Sequence, residues 1–165
     1  MLLSNSIYGN IFSDSKLAKE FEAQSQNYKR LVLSRYEMEK TRFRKKTRDG
    51  TDIGVDLASG TRLHHGDVLS IDSIKILVEQ LPEKVIRVNS KEEKNSELFV
   101  MLGHIIGNRH RPIAYEDGSI TFPIYSETEF DLFKSLFRNI IEKIELSVEE
   151  KVFQPHDTMN VHEHG

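Results

Sequence analysis

An α+β chain in two parts is what the sequence predicts, on three observations. Short β-forming runs punctuated by Gly50, Gly54, Gly60 and Gly66 fill the first half. After Leu81-Pro82-Glu83 the apolar period lengthens from two residues to between three and four, which marks helices alternating with strands. Beyond Pro155 the chain reads HDTMNVHEHG and has almost nothing to bury. The expected division is a small β-rich N-terminal domain over 1–80, a second α+β domain over 81–153 and a flexible, histidine-bearing tail over 154–165.

IYGNIF, at 7–12, predicts a short strand, and SDSKLAKEFEAQSQ a polar, helical or loosely ordered connection. LVLS, TRFRKKT, DIGVDLA, TRL and VLSIDSIKILVEQ predict strands, separated by turns at RDG, SG and HHGD. Pro82 cannot donate to a continuing ladder, so the boundary falls there. KVIRV is then a strand, and Ser90 with Glu93 has the spacing of a capping box that starts a helix. Leu98, Met101, Leu102 and Ile105, with Phe99 and Ile106 beside them, form its apolar stripe, and Gly107 is the expected stop. PIAY and SITFPIY, joined through Glu116-Asp117-Gly118, read as a hairpin. Ser126 with Glu129 is a second capping box, opening a helix with Phe130, Phe133, Leu136, Phe137 and Ile140 on one face, and IELSVEEKVF is the last strand. The order βαββαβ is that of a ferredoxin-like sandwich.

Composition excludes several classes of function. The 165 residues carry a net charge of −3, which gives no global attraction to nucleic acid or to an anionic membrane. There is no cysteine, so disulfides, thiolate metal sites, iron–sulfur clusters and cysteine nucleophiles are out. HExxH, GxSxG and a phosphate loop are absent as well. MLLSNSIYGN lacks a basic and apolar leader pattern, and no stretch is long enough to span a bilayer, so a cytoplasmic protein is expected.

What remains is imidazole chemistry. His110 follows the predicted helix in GHIIGNRHRP and is held before Pro112. It reads either as a histidine satisfying the last carbonyls of the helix or as a metal ligand. A single imidazole binds a transition metal weakly, but a two-fold axis beside His110 would bring two together. In the tail His162 and His164 are two apart, so an extended chain puts both rings on one side, as a ligand pair or as solvated residues. Nickel, copper and zinc all accept imidazole. His104, His64 and His65 read as surface or turn histidines, and Asp49, Asp52, Asp56 and Asp67 as turn formers. Lys40, Arg42, Arg44, Lys46 and Arg48 alternate with Thr41, Phe43 and Thr47, giving one strand a basic face. That face is either a protected edge or a docking surface for an acidic protein partner.

Several stretches together resemble the UreE family of urease accessory proteins, nickel metallochaperones of urease maturation. They are TRFRKKTRDGTDIGVDLASGTRLHHGDVL, GNRHRP, VFQPHDTMNVHEHG and the opening IYGNIF, in the family's order over nearly the whole chain. The resemblance implies a partner-binding N-terminal domain and a ferredoxin-like metal-binding domain that forms a homodimer. It implies that His110 of each protomer is the central ligand and that His162 and His164 complete or load the site. His156 stands where the family commonly has glutamate and is a candidate further ligand. The implied cargo is nickel, with zinc or copper able to take the same site. The implied partners are the urease apoprotein and other accessory proteins including a GTPase, with no nucleic acid and no membrane. The protein is then not an enzyme. Two alternatives stay open: an RNA-binding module of the same βαββαβ order, with Phe122 and Tyr125 as stacking surfaces, or a protein-interaction adaptor with incidental metal binding.

Overall fold

The computed structural model describes residues 1–93 and 95–156. The chain forms two compact units, Met1–Leu81 and Pro82–Gly165. The first contains β1 (Leu2–Ser4), β2 (Gly9–Asn10), α1 (Ser15–Gln24), β3 (Lys29–Leu33), α2 (Arg35–Met38), β4 (Arg42–Lys46), β5 (Asp52–Asp56), β6 (Asp67–Ile71) and β7 (Ile74–Gln80). A three-stranded sheet has the order β1-β5-β4, and a four-stranded sheet the order β2-β6-β7-β3. One buried cluster draws on both sheets, with Ile53 and Val55 from β5 and Leu31, Leu33, Leu69, Ile76 and Val78 from the larger one.

Three expectations need correcting in this unit. IYGNIF contributes only the short β2, and Leu2–Ser4 supplies a strand that the sequence pattern does not announce. Thr61-Arg62-Leu63 forms no strand; it serves as a plug, with Leu63 buried and its N–H donating to the Met38 carbonyl at 3.3 Å. VLSIDSIKILVEQ is two strands, because Asp72 adopts φ 54 and turns the chain between the paired Ile71 and Ile74. Aspartate tolerates that left-handed conformation, and the unbroken apolar pattern around it hides the turn.

The second unit runs β8 (Glu83–Ser90), α3 (Ser96–Asn108), β9 (Ala114–Glu116), β10 (Ser119–Pro123), α4 (Thr128–Leu136) and β11 (Ile144–Lys151), the expected βαββαβ order. Its sheet is ordered β11-β8-β10-β9 and every neighbouring pair is antiparallel. Ile86, Val88, Ile120, Phe122 and Ile144 of the sheet meet Leu98, Leu102 and Ile106 of α3 and Phe133 and Phe137 of α4 in one core. The Phe122 ring lies 4.6 Å from Phe133. Elsewhere in the unit Val85 and Ala114 form a smaller cluster with Phe153, which is fully buried.

Neither capping box expected here is formed. Ser90 is still in β8, paired with Ile144, and α3 is capped by Asn95, whose side-chain oxygen accepts from the Leu98 N–H at 3.0 Å. Helix α4 has no side-chain cap. The one Ser-x-x-Glu box that closes is Ser34–Glu37, which starts the unexpected α2: Ser34 Oγ accepts from the Glu37 N–H and the Glu37 carboxylate accepts from the Ser34 N–H.

Candidate metal centre

The packing of α3 decides what its end presents. Leu98, Leu102 and Ile106, four residues apart, take the buried stripe. The expected Met101 is 39% exposed and its neighbour Val100 72% exposed. Gly103 and Gly107 lie inside the helix, and a Cβ at either would meet nothing within 4 Å among the described residues. Glycine in a helix interior costs about 1 kcal/mol relative to alanine, and no close approach among the described residues requires it at these two positions.

Gly107 therefore does not stop the helix; His110 does. The His110 N–H donates to the Gly107 carbonyl at 2.9 Å and the Arg111 N–H to the Ile106 carbonyl at 3.5 Å, the paired bonds of a Schellman closure. The residue after the cap must then be left-handed, and His110 has φ 54. Glycine takes that position without penalty, whereas an L-residue with a Cβ pays about 1–2 kcal/mol. An exposed histidine held in a costly backbone conformation points to something the imidazole does there.

The chain is gripped again immediately afterwards. The Arg111 guanidinium stands 2.5 Å from Glu129, with side-chain exposures of only 10% and 17%, and lies 3.7 Å above the Tyr125 ring. The second Glu129 oxygen accepts from the Tyr125 N–H at 2.7 Å, so the carboxylate expected to cap α4 serves Arg111 and Tyr125 instead.

The other candidate ligands are placed unevenly. His156 is exposed, and its N–H donates to the Ile113 carbonyl at 3.1 Å, three positions beyond His110. His162 and His164 lie outside the described residues. Among the described residues no group of three or more His, Asp or Glu side chains is assembled within this one chain. His104 is exposed on α3, with Nε2 3.2 Å from the Asn108 amide nitrogen. His64 is a turn residue as expected, donating its N–H to the Asp67 carboxylate. His65 is in the same turn, as expected, but is half-buried rather than exposed: its Nδ1 accepts the Gln80 N–H at 3.1 Å, and its ring lies 5.3 Å from Phe12.

Lys40, Arg42, Arg44 and Lys46 are all exposed, but the centre of the basic face is compensated from the neighbouring strand. Arg42 binds Asp56 through two hydrogen bonds at 3.0 and 2.9 Å, and Arg44 binds Asp52. Asp52 and Asp56, expected in turns, are the two ends of β5. The hydrogen bond from Arg44 holds the Asp52 carboxyl below the usual carboxylate range. Asp49 remains a turn former and is held low chiefly by Lys29, and the buried Asp67 braces its turn through the His64 N–H and the Asn10 amide. Of the two aromatic residues offered for RNA stacking, Phe122 is fully buried in the core and offers no face to a base, whereas Tyr125 is exposed and carries the Arg111 guanidinium over its ring.

The class of protein that fold and site define is a two-unit α+β protein with its candidate site at one helix end. Residues 6–78 match the family model for the UreE urease accessory protein, N-terminal domain. Similar proteins are the urease accessory protein UreE of Haemophilus influenzae, 32% identical over 127 residues that cover 76% of this chain and 65% of the relative, and that of Streptococcus vestibularis, 26% identical over 148 residues that cover 90% and 95%. A third, from Natronomonas pharaonis, is 29% identical over 126 residues, covering 73% of this chain and 58% of the relative. The chain thus spans under two thirds of the Haemophilus influenzae and Natronomonas pharaonis relatives and nearly all of the Streptococcus vestibularis one. The first unit of this chain matches the UreE family model, and the relatives found over the rest of the chain are urease accessory proteins UreE. No helix among the described residues is long and apolar enough to cross a membrane.

Proposed function

We propose that this protein is a cytoplasmic, non-enzymatic nickel chaperone that carries Ni(II) to apo-urease during assembly of the urease active site. The observation that carries the proposal is His110, exposed and held left-handed where glycine would cost less. Its domains are 1–80, a partner-binding domain; 81–153, a ferredoxin-like metal-binding domain whose strand order β11-β8-β10-β9 suits that arrangement; and the tail 154–165.

The protein acts as a homodimer through the exposed side of α3. Val100, Met101, Gly103 and Gly107 leave that surface apolar and low, which favours close approach of a second copy and offsets the cost of the two helical glycines. Each protomer contributes one His110, and His162, His164 and His156 load or complete the coordination sphere. Zinc and copper compete for the same imidazoles. A site built from exposed ligands on two chains holds its cargo without burying it, which suits transfer. The urease apoprotein and accessory partners including a GTPase dock elsewhere, with Lys40, Arg42, Arg44 and Lys46 as the docking candidates on the N-terminal unit.

Calorimetric titration of the full, tag-free chain with nickel tests this. His110→Ala removes a ligand itself and should weaken the tightest site by more than about a hundredfold, beyond what losing a group that merely supports a ligand costs. An unchanged tightest site in that variant rules the proposal out. Protons compete with nickel for neutral imidazole, so affinity should fall as pH drops through about 6.5, where free histidine titrates. Affinity constant from neutral to mildly acidic pH would exclude histidine ligation.

A further inference from the structure

His110 is fixed from two sides, and only one of them belongs to the helix. The Schellman bonds close the helix end, but they serve a glycine equally well and cannot by themselves decide how an imidazole is aimed. A left-handed non-glycine residue persists only where its surroundings over-determine it. On the exit side the next residue supplies that constraint. Arg111 has its guanidinium against the Glu129 carboxylate at 2.5 Å, its plane over the Tyr125 ring at 3.7 Å, and Nη1 3.4 Å from the Pro123 carbonyl. Glu129 is itself fixed by the Tyr125 N–H, and Pro112 stiffens the backbone that follows. A planar fork engaged on an edge and on a face is a role that lysine cannot fill.

We infer that Arg111 is the positioning residue of the site: its clamp on Glu129 and Tyr125 holds the His110 backbone left-handed and so fixes where the imidazole points. The inference rests on His110 being a ligand. Loss of the clamp releases the strain at His110, the segment relaxes toward an ordinary conformation, and the two imidazoles of a dimer no longer converge on one ion.

The test is a double-mutant cycle on the full chain, titrated with nickel in four forms: wild type, Arg111→Met, His110→Ala and the double variant. Arg111→Met should weaken nickel binding about tenfold when His110 is present, the low end of what losing a support of a metal-bound imidazole costs. In the His110→Ala background it should change nothing further. Equal losses in both backgrounds would make Arg111 a general support of the fold, and no loss in either would remove it from the site; both overturn the inference while leaving His110 a ligand. If His110→Ala itself has no effect, the proposed function falls and takes this inference with it. Glu129→Gln keeps the shape and weakens the ion pair, so it should give a smaller loss with the same dependence on His110. That variant guards against misfolding of Arg111→Met, with circular dichroism confirming that each form is folded.

Discussion

Among its described residues the second unit needs a left-handed backbone in two places, and the sequence supplies each differently. At the tip of the β9–β10 hairpin it places Asp117 and Gly118, with φ 50 and 80, the residue types that such a turn prefers. At the end of α3 it places His110, with φ 54, where glycine or asparagine is the favoured choice and asparagine stands only two residues earlier. One turn follows backbone preference and the other overrides it. A stability cost accepted at one turn and avoided at another marks the residue that does something beyond folding.

Breaking that contrast at its core gives the largest expected effect on function. His110→Gly should abolish tight nickel binding as His110→Ala does, yet raise stability toward urea by about 1 kcal/mol, because the left-handed strain disappears. Gly118→Ala should do the reverse, lowering stability by about 1 kcal/mol with nickel affinity unchanged. If His110→Gly destabilised the protein, the claim of stored strain would be wrong.

The surface beside His110 sharpens the same comparison. A Cβ at Gly103 meets nothing within 4 Å among the described residues, so a side chain added there starts out into open space. Across a close two-fold contact Gly103→Leu should move the sedimentation equilibrium toward monomer and weaken nickel binding with it. A variant that remains fully dimeric would take the interface away from this side of α3.

The smallest effect concerns Ser34–Glu37, a region with no part in the site. Burial alone would raise the Glu37 pKa, but hydrogen bonds from Lys45 and the Ser34 N–H outweigh it and leave the pKa lowered. A lowered folded-state value means the stabilisation is present above the unfolded glutamate range and is lost as pH falls through the folded one. Glu37→Gln should therefore cost about 0.5–1 kcal/mol at neutral pH and nothing near the foot of the acid transition, measured by urea unfolding at both.

The βαββαβ order was legible because each element carries its own period, and the Phe133–Phe137–Ile140 face is buried where the pattern put it. The helix starts were not. Four Ser-x-x-Glu matches have the right spacing, but Ser90 and Ser147 are claimed by their strand partners Ile144 and Arg87 and the Glu129 carboxylate by Arg111 and Tyr125, leaving Ser34–Glu37 to form the box. Long-range pairing outbids a local motif, and spacing alone does not reveal that. His110 was legible as a candidate from its neighbours in sequence. Its left-handed backbone was not, since local spacing shows neither the Schellman closure nor the ion pair that the next residue, Arg111, makes with Glu129 eighteen positions on. His65 sits in the expected turn, but its half-burial was hidden for a similar reason: Gln80, fifteen positions on, donates its N–H to the ring.

The central claim is that the metal site exists only where two His110 side chains meet. Native mass measurement of the full chain with and without nickel tests it most directly, in the wild type and in His110→Ala. The expected result is nickel retained at the mass of a dimer in the wild type and lost in the variant. Nickel held tightly by a monomer, or retained equally by the variant, would contradict the account.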